Sequence, residues 1–258
     1  VQLELLEDLV RLRVELGDRP DGASKLNALE LASRLSFALW GRSPSAELLV
    51  LRVDPASGAQ TPISSAGLFV NPLGVAVDRN GDVLVCATGA ASGAGGVYRI
   101  VTGSGAQSVV SEAGMLAGPA GIAIAADGTL LVSDLGAFGG PGGVIRVDPT
   151  SGTQTVVSSG GMFVDPIGIA VAANGDLYVA DESAHLGSGM VLRVDPVTGA
   201  QDSVRSGGSF VDPLGIAFEP GAGLVIVDPN AYGGGGGVTR VDPARGVTWG
   251  EVKARYAR

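Results

Sequence analysis

The sequence predicts an all-β protein, a β-propeller of four 47-residue, four-stranded blades preceded by a short α-helical segment. Two observations carry this prediction. Single residues recur at one fixed step, and each step holds four short strand patterns separated by turn residues. The step is 47 residues for an arginine, a proline and a glycine: Arg52, Arg99, Arg146, Arg193 and Arg240; Pro72, Pro119, Pro166 and Pro213; Gly74, Gly121, Gly168 and Gly215.

The third copy shows the four strands most clearly. The predicted strands are residues 166–171, 177–180, 191–194 and 201–205. Asn174-Gly175 separates the first two strands, and Asn-Gly is a strong hairpin signal because both central residues take positive φ. Asp195-Pro196 opens the turn before the fourth strand, where proline already has the required φ. An invariant unit of this kind favours a propeller over a two-sheet sandwich or a solenoid.

The strand count predicts how the ring closes. Third strands occur five times, whereas first and second strands occur four times, and the last unit stops at Asp242-Pro243 without a visible fourth strand. A copy of the fourth strand at residues 60–64 has no inner strands before it. We therefore expect this N-terminal strand to complete the last blade and hide its edge.

The chain divides into three segments. Residues 1–47 carry apolar residues at helical spacing and form the predicted helical segment, which is a possible remnant of another domain. Residues 48–243 contain the propeller repeats, and residues 244–258 are the C-terminal tail.

Composition excludes several classes of function. The formal net charge is −9, with 17 scattered Lys and Arg residues, so we expect no nucleic-acid partner. No apolar run is long enough to predict a membrane span. Cys86 is the single cysteine, which excludes an internal disulfide, and its apolar neighbours predict a buried, inert thiol. The charges of residues 1–17 do not fit a signal peptide, so an extracytoplasmic location, which we expect, needs a signal outside this chain.

The repeat phrases resemble a known class of propellers. Residues 166–171, 175–181 and 191–194 are similar to NHL-type repeats, and gluconolactonase-like and virginiamycin-B-lyase-like propellers share this blade pattern. The resemblance covers about residues 48–243. It implies either an interaction scaffold, as in NHL propellers, or a lactonase with a divalent cation held by carboxylate and amide side chains. Resemblance to the lyases implies a reaction that uses histidine and magnesium, and His185 is the sole histidine of this sequence.

The helical segment has a separate resemblance. Residues 26–49 are similar to a stretch of large bacterial proteins of unassigned function that are associated with c-type haem domains. The stretch contains no Cys-x-x-Cys-His, which excludes haem attachment to these residues.

Repeated polar residues mark one face of the propeller. Loops after second strands and before first strands emerge on the same side, because strands alternate in direction within a blade. The aspartates and the asparagine on this side predict an acidic rim that could bind Ca²⁺ through oxygen ligands: Asp134, Asp181 and Asp228 at the ends of second strands, and Asn71, Asp165 and Asp212 before first strands. The alternative is structural, since aspartates at strand ends also accept hydrogen bonds from loop amides.

Three aromatic or imidazole side chains distinguish the blades from one another. Phe138, His185 and Tyr232 lie on loops at non-equivalent positions, so we expect them on the ligand face. The recurring arginines are interpreted instead as partners in salt bridges with the aspartates of the Asp-Pro turns.

Two functions from different classes fit these observations, and a degenerate domain with no ligand is a third alternative. The first is a non-enzymatic, bacterial, extracytoplasmic propeller that binds a protein, glycan or small molecule on its loop face, with no cofactor or with Ca²⁺. The second is a metal-dependent lactonase- or lyase-like enzyme that uses an acidic cation site at the channel mouth. The blades are nearly identical, which favours the scaffold because catalysis generally needs one specialised blade.

Overall fold

The computed structural model describes residues 49–242, except 66, 91–92, 186–187, 208–209 and 220–222, together with 247–248. The predicted helical segment 1–47 lies outside the described residues. In the described part, the protein is all-β with only two short helical turns, Ala137–Gly139 and Ala231–Gly234. No helix in this part is long and apolar enough to cross a membrane.

In the described residues, eighteen strands form one hairpin and four antiparallel blades. The N-terminal hairpin is β1 (Leu49–Val53) and β2 (Gln60–Ser65). The first blade is β3 (Phe69–Val77), β4 (Val83–Ala90), β5 (Gly96–Ile100) and β6 (Gln107–Glu112). The second is β7 (Pro119–Ile124), β8 (Leu130–Asp134), β9 (Gly143–Val147) and β10 (Gln154–Ser159). The third is β11 (Pro166–Val171), β12 (Leu177–His185), β13 (Ser188–Val194) and β14 (Gln201–Ser206). The fourth is β15 (Gly215–Glu219), β16 (Gly223–Asp228), β17 (Gly237–Asp242) and β18 (Val247–Thr248).

The predicted four-bladed propeller is confirmed, with strands paired in sequence order within each blade. The inner strands β3, β7, β11 and β15 lie side by side in that order. The face with the loops between second and third strands, and between successive blades, is called the loop face. The opposite face, with the turns between first and second and between third and fourth strands, is called the turn face.

The core lies between neighbouring blades rather than inside a closed sandwich. One cluster joins the N-terminal hairpin to the first blade, and three further clusters join the blades in succession. The two junctions among the first three blades also carry a polar link. Nε2 of Gln154 donates to Oγ of Ser111 at 2.9 Å, and the link between Gln201 and Ser158 has the same length.

The recurring glycine of the inner strands is explained by contact between neighbouring blades. A Cβ atom on Gly74 would lie 2.8 Å from the carbonyl oxygen of Ala120 in the next blade. A Cβ on Gly121 would overlap the carbonyl oxygen of Ile167 in the same way. Only glycine therefore lets the inner strands approach this closely.

The predicted closure by the N-terminal strand is wrong. Strand β2 pairs only with β1 in the described part and packs on the first blade, where Nε2 of Gln107 donates to Oγ of Ser64 at 2.6 Å. The fourth blade instead has its own fourth strand, β18, within the segment that was predicted to be a tail. The register explains this result, because one further step of 47 residues from Gln201 leads to Thr248.

Candidate functional site

Asp134, Asp181 and Asp228 each join the loop before an inner strand to the residues that follow the aspartate itself. The carboxylate of Asp134 accepts hydrogen bonds from the amides of Ala117, Gly118 and Gly136, each at 2.9 Å. The first two amides precede strand β7, and the third belongs to the loop after β8. Asp134 is fully buried, so these bonds replace the water that the carboxylate loses on folding.

The third and fourth blades repeat this arrangement, which we call the aspartate clasp. Asp181 accepts from the amides of residues 164, 165 and 183 at 2.9, 3.0 and 3.2 Å. Asp228 accepts from the amides of residues 211, 212 and 230, the shortest at 2.7 Å. Both side chains are fully buried. The structural alternative proposed from the sequence therefore describes the contacts of all three aspartates.

Burial and hydrogen bonding act on these carboxyls in opposite directions. Burial raises the pKa of Asp134 and of Asp181, and the backbone N–H donors offset part of this rise. Each carboxylate therefore directs its oxygens to backbone amides of its own blade.

The first blade lacks the clasp and uses strand pairing instead. Ala87 occupies the clasp position, and β3 continues to pair with β4 as far as Phe69 opposite Ala90. Asn71 lies in this extension with a φ of +51°, a conformation that asparagine tolerates better than most residues. Asn71 thus belongs to a strand, whereas Asp165 and Asp212 lie in loops.

An acidic cluster lies on the loop face between the third and fourth blades. Burial raises the pKa of Glu182, and the nearby carboxylates of Asp212 and Asp165 raise it further. The side chain of Asp212 also accepts a hydrogen bond from Nδ2 of Asn230. The sequence analysis missed Glu182. Its signal was the asymmetry of the repeat, because the equivalent positions in the neighbouring blades are Leu135 and Pro229.

Apolar side chains are also exposed on the loop face. Val70, Val164 and Val211 occupy equivalent positions of the repeat, and they are 42%, 41% and 36% exposed. Val70 lies in β3, whereas Val164 and Val211 precede β11 and β15. Phe138 is 43% exposed on the loop of the second blade and has a φ of +63°. Such a φ is unfavourable for a bulky residue, so the loop fixes this ring at the surface against its local preference.

The remaining predicted ligand-face residues are only partly described. His185 ends strand β12 and Tyr232 lies in the short helix that follows β16, both on the loop face. Their side chains lie outside the described part of the structure.

The predicted Ca²⁺ site stays a prediction. Asp134, Asp181 and Asp228 belong to three different blades, and each directs its oxygens to backbone amides. Among the described residues, no three acidic, histidine or cysteine side chains converge as a bound cation requires. The described side chains therefore do not fit a cation held by the clasp aspartates.

The space between the inner strands is lined by backbone groups and by side chains without charge. It has a volume of about 270 Å³ and is lined by small and branched apolar residues and glycines of all four inner strands, among them Val75, Gly121, Ile169 and Phe218. The candidate polar groups of the loop face do not line this space.

The recurring arginines have different partners from those predicted. Arg99 bonds to Asp78 at 2.7 Å and Arg193 bonds to Asp176 at 2.8 Å, both within one blade on the turn face. The aspartate of the Asp-Pro turn instead caps its own turn, as where Asp195 accepts the amide of Thr198. Arg99 and Arg193 thus connect the first turn of their blade to the third strand.

We predict that the single thiol does not react while the protein is folded. Cys86 is fully buried against Gly74 in the first blade, and burial raises the pKa of its thiol to about 12. A thiol-reactive dye at neutral pH should label the protein only after denaturant is added. Labelling in native buffer at the rate of a free cysteine would contradict this burial.

Comparisons with known proteins agree with the fold. The NHL repeat model matches residues 163–186, which span the clasp of the third blade. No curated protein sequence matches the chain.

Solved structures share the fold at low sequence identity. The PQQ-bound aldose sugar dehydrogenase of Streptomyces coelicolor is 19% identical with a TM-score of 0.61, and the match covers 80% of this chain and 74% of that one. A chain of the nidogen/laminin complex is 17% identical with a TM-score of 0.59, covering 72% and 66%. The gluconolactonase XC5397 of Xanthomonas campestris is 19% identical with a TM-score of 0.51, covering 68% and 60%. At these identities the likeness shows the fold alone.

Proposed function

We propose that this NHL-type propeller is a binding scaffold whose loop face takes a basic, partly apolar segment of a partner protein. The observation that carries the proposal is the pairing of exposed valines with a carboxylate cluster. Val164 and Val211 are exposed directly beside Asp165 and Asp212, and Glu182 completes the cluster between them. Apolar contact and opposite charge would then act together on one segment.

The distribution of charge supports a basic ligand. The described part contains seven arginines and no lysine, and six of these arginines lie toward the turn face: Arg52, Arg79, Arg99, Arg146, Arg193 and Arg240. Arg205, on the outer strand β14, is the exception. The carboxylates of the loop face therefore have few cations nearby, and their field favours a positively charged partner.

A designed peptide tests the proposal directly. A fluorescein-labelled peptide of alternating lysine and leucine should bind saturably at physiological salt, as measured by fluorescence anisotropy. The double variant Asp165→Asn/Glu182→Gln should weaken binding about tenfold, because two charges facing the ligand are lost. The turn-face double variant Asp127→Asn/Asp202→Asn removes the same net charge and should bind as the wild type does.

Two matched peptides separate charge from apolar contact. Replacing lysine by glutamate should abolish binding, and replacing leucine by serine should weaken it. The proposal fails if the glutamate peptide binds equally well, or if the turn-face variant weakens binding as much as the loop-face variant does.

The same interaction should depend on pH in a defined direction. The pKa of Glu182 is raised above its ordinary value of 4.5, so this side chain becomes negative only at higher pH than an ordinary glutamate. Affinity for the lysine peptide should therefore rise as the pH increases through the range above 4.5 and then level off. Glu182→Gln should remove that part of the pH dependence, as titrations of both proteins would show.

The enzymatic alternative keeps one supporting observation. A carboxyl with a raised pKa beside two other carboxylates is typical of acid–base sites, and Glu182 provides such a group. The second candidate is therefore a lactonase-like hydrolase acting at the loop face. Its test is the hydrolysis of an aldonolactone, with and without calcium, which should fall to background in Glu182→Gln.

A further inference from the structure

Every blade of the propeller has two different packing surfaces. The forward face contacts the next blade, and in the first blade it includes Leu84 and Val97, which cluster with the second blade. The rear face contacts the preceding unit, and in the first blade it includes Tyr98 and Ile100, which cluster with the N-terminal hairpin. The same positions repeat in each blade at steps of 47 residues.

Among the described residues, no further blade covers the forward face of the fourth blade. In the first three blades the three central forward positions are at most 6% exposed: Leu84, Leu131 and Tyr178; Cys86, Ser133 and Ala180; Val97, Val144 and Val191. The equivalents in the fourth blade, Val225, Val227 and Val238, are only half-buried. Their neighbours Leu224 and Ile226 point the other way and are fully buried against the third blade.

The rear face of the N-terminal hairpin is likewise not covered by another blade in the described part of the chain. Leu51 and Val53 are half-buried. Their equivalents in the first three blades are fully buried: Tyr98, Ile145 and Leu192 for Leu51, and Ile100, Val147 and Val194 for Val53. Gln60 is exposed. Its equivalents Gln107, Gln154 and Gln201 each donate a hydrogen bond to the hydroxyl of a serine in the preceding unit. Among the described residues, none receives the side chain of Gln60.

We propose that this chain associates head to tail with a second copy of itself, the rear face of one hairpin packing on the forward face of the other copy's fourth blade. The two open surfaces are of opposite kinds, and together they have the two sides of the junction that the molecule already forms between its own blades. The contact therefore continues an existing interface. Such a heterologous contact generates a ring if the rotation closes and a filament if it does not.

Light scattering of the full chain after size exclusion tests the proposal. The mass should exceed the 25.7 kDa of one copy and should rise with protein concentration between about 1 and about 100 µM. Val227→Arg blocks the forward face, and Leu51→Arg blocks the rear face. Each variant alone should be monomeric, because each lacks one side of the contact.

A mixture of the two variants provides the decisive comparison. Val227→Arg keeps an intact rear face and Leu51→Arg keeps an intact forward face, so an equimolar mixture should form a dimer and nothing larger. Circular dichroism and thermal melting check that each variant is folded. If Val227→Arg does not fold, Val225→Glu takes its place on the forward face, and if Leu51→Arg does not fold, Val53→Glu takes its place on the rear face.

Three outcomes overturn the proposal. A wild-type chain that stays monomeric at every concentration shows that the faces are covered within one chain or tolerate water. Self-association of either single variant indicates a face-to-face dimer. A mixture that remains monomeric excludes the head-to-tail contact.

Discussion

Replacing Asp181 by alanine should lower the free energy of unfolding by about 3 kcal/mol, since three partly buried amides lose their acceptor and each such loss costs about 1 to 3 kcal/mol. The amides of residues 164 and 165 lie in the loop before β11, and the amide of residue 183 lies in the end of β12 beyond its pairing with β11. Urea unfolding followed by circular dichroism measures the change.

Two further variants define the cause of that loss. Asp181→Asn keeps one carbonyl oxygen, so it should be less damaging than Asp181→Ala. Asp195→Ala also removes an aspartate that caps backbone amides, but in an exposed turn where water replaces the carboxylate. Its effect should be clearly smaller, and an effect equal to that of Asp181→Ala would mean that burial does not matter.

Replacing Gly121 by alanine should destabilise the protein by a comparable amount, about 3 kcal/mol, because the added Cβ meets the backbone of the next blade. It would overlap the carbonyl oxygen of Ile167 and lie 2.6 Å from Oγ of Ser133. A backbone carbonyl held in a neighbouring blade cannot rotate away as a flexible side chain can, so the two inner strands must separate.

A surface glycine provides the matched control for this variant. A Cβ on Gly103 would meet no atom within 4 Å, and Gly103 does not have a positive φ. Gly103→Ala should therefore leave the free energy of unfolding within about 0.5 kcal/mol of the wild type. Equal losses in both variants would show that inner-strand contact is not the reason for the recurring glycine.

Most of the fold could be predicted because the sequence repeats the same 47-residue unit four times. Turn residues at constant spacing place the strands, and the third-blade strands predicted at 166–171 and 191–194 agree closely with β11 and β13. The fourth strand of the last blade was missed because residues 247–248 share almost no side chains with the earlier copies. The strand occurs at the position that the 47-residue step gives, although its side chains differ from those of the earlier copies.

The contacts of the site could be predicted only as alternatives. A carboxylate at a strand end can accept hydrogen bonds from backbone amides or bind a cation. The repeat spacing does not distinguish these two roles. The clasp depends on a loop 16 to 17 residues earlier in the chain returning to Asp134, Asp181 or Asp228. Glu182 was missed because the candidate site residues were chosen mainly for their recurrence at the 47-residue step, and Glu182 does not recur in the neighbouring blades.

The repeated aspartates of the loop face serve the fold and leave the loop face to bind a partner other than a cation. Calcium titration by isothermal calorimetry on the full chain, with a thermal melt alongside, tests this assignment of the aspartates. We expect no saturable heat and no shift of the melting midpoint, because the clasp oxygens already accept hydrogen bonds from amides. Saturable heat with a raised midpoint, lost in Asp181→Asn and kept in Asp195→Ala, would contradict it and make the clasps cation ligands.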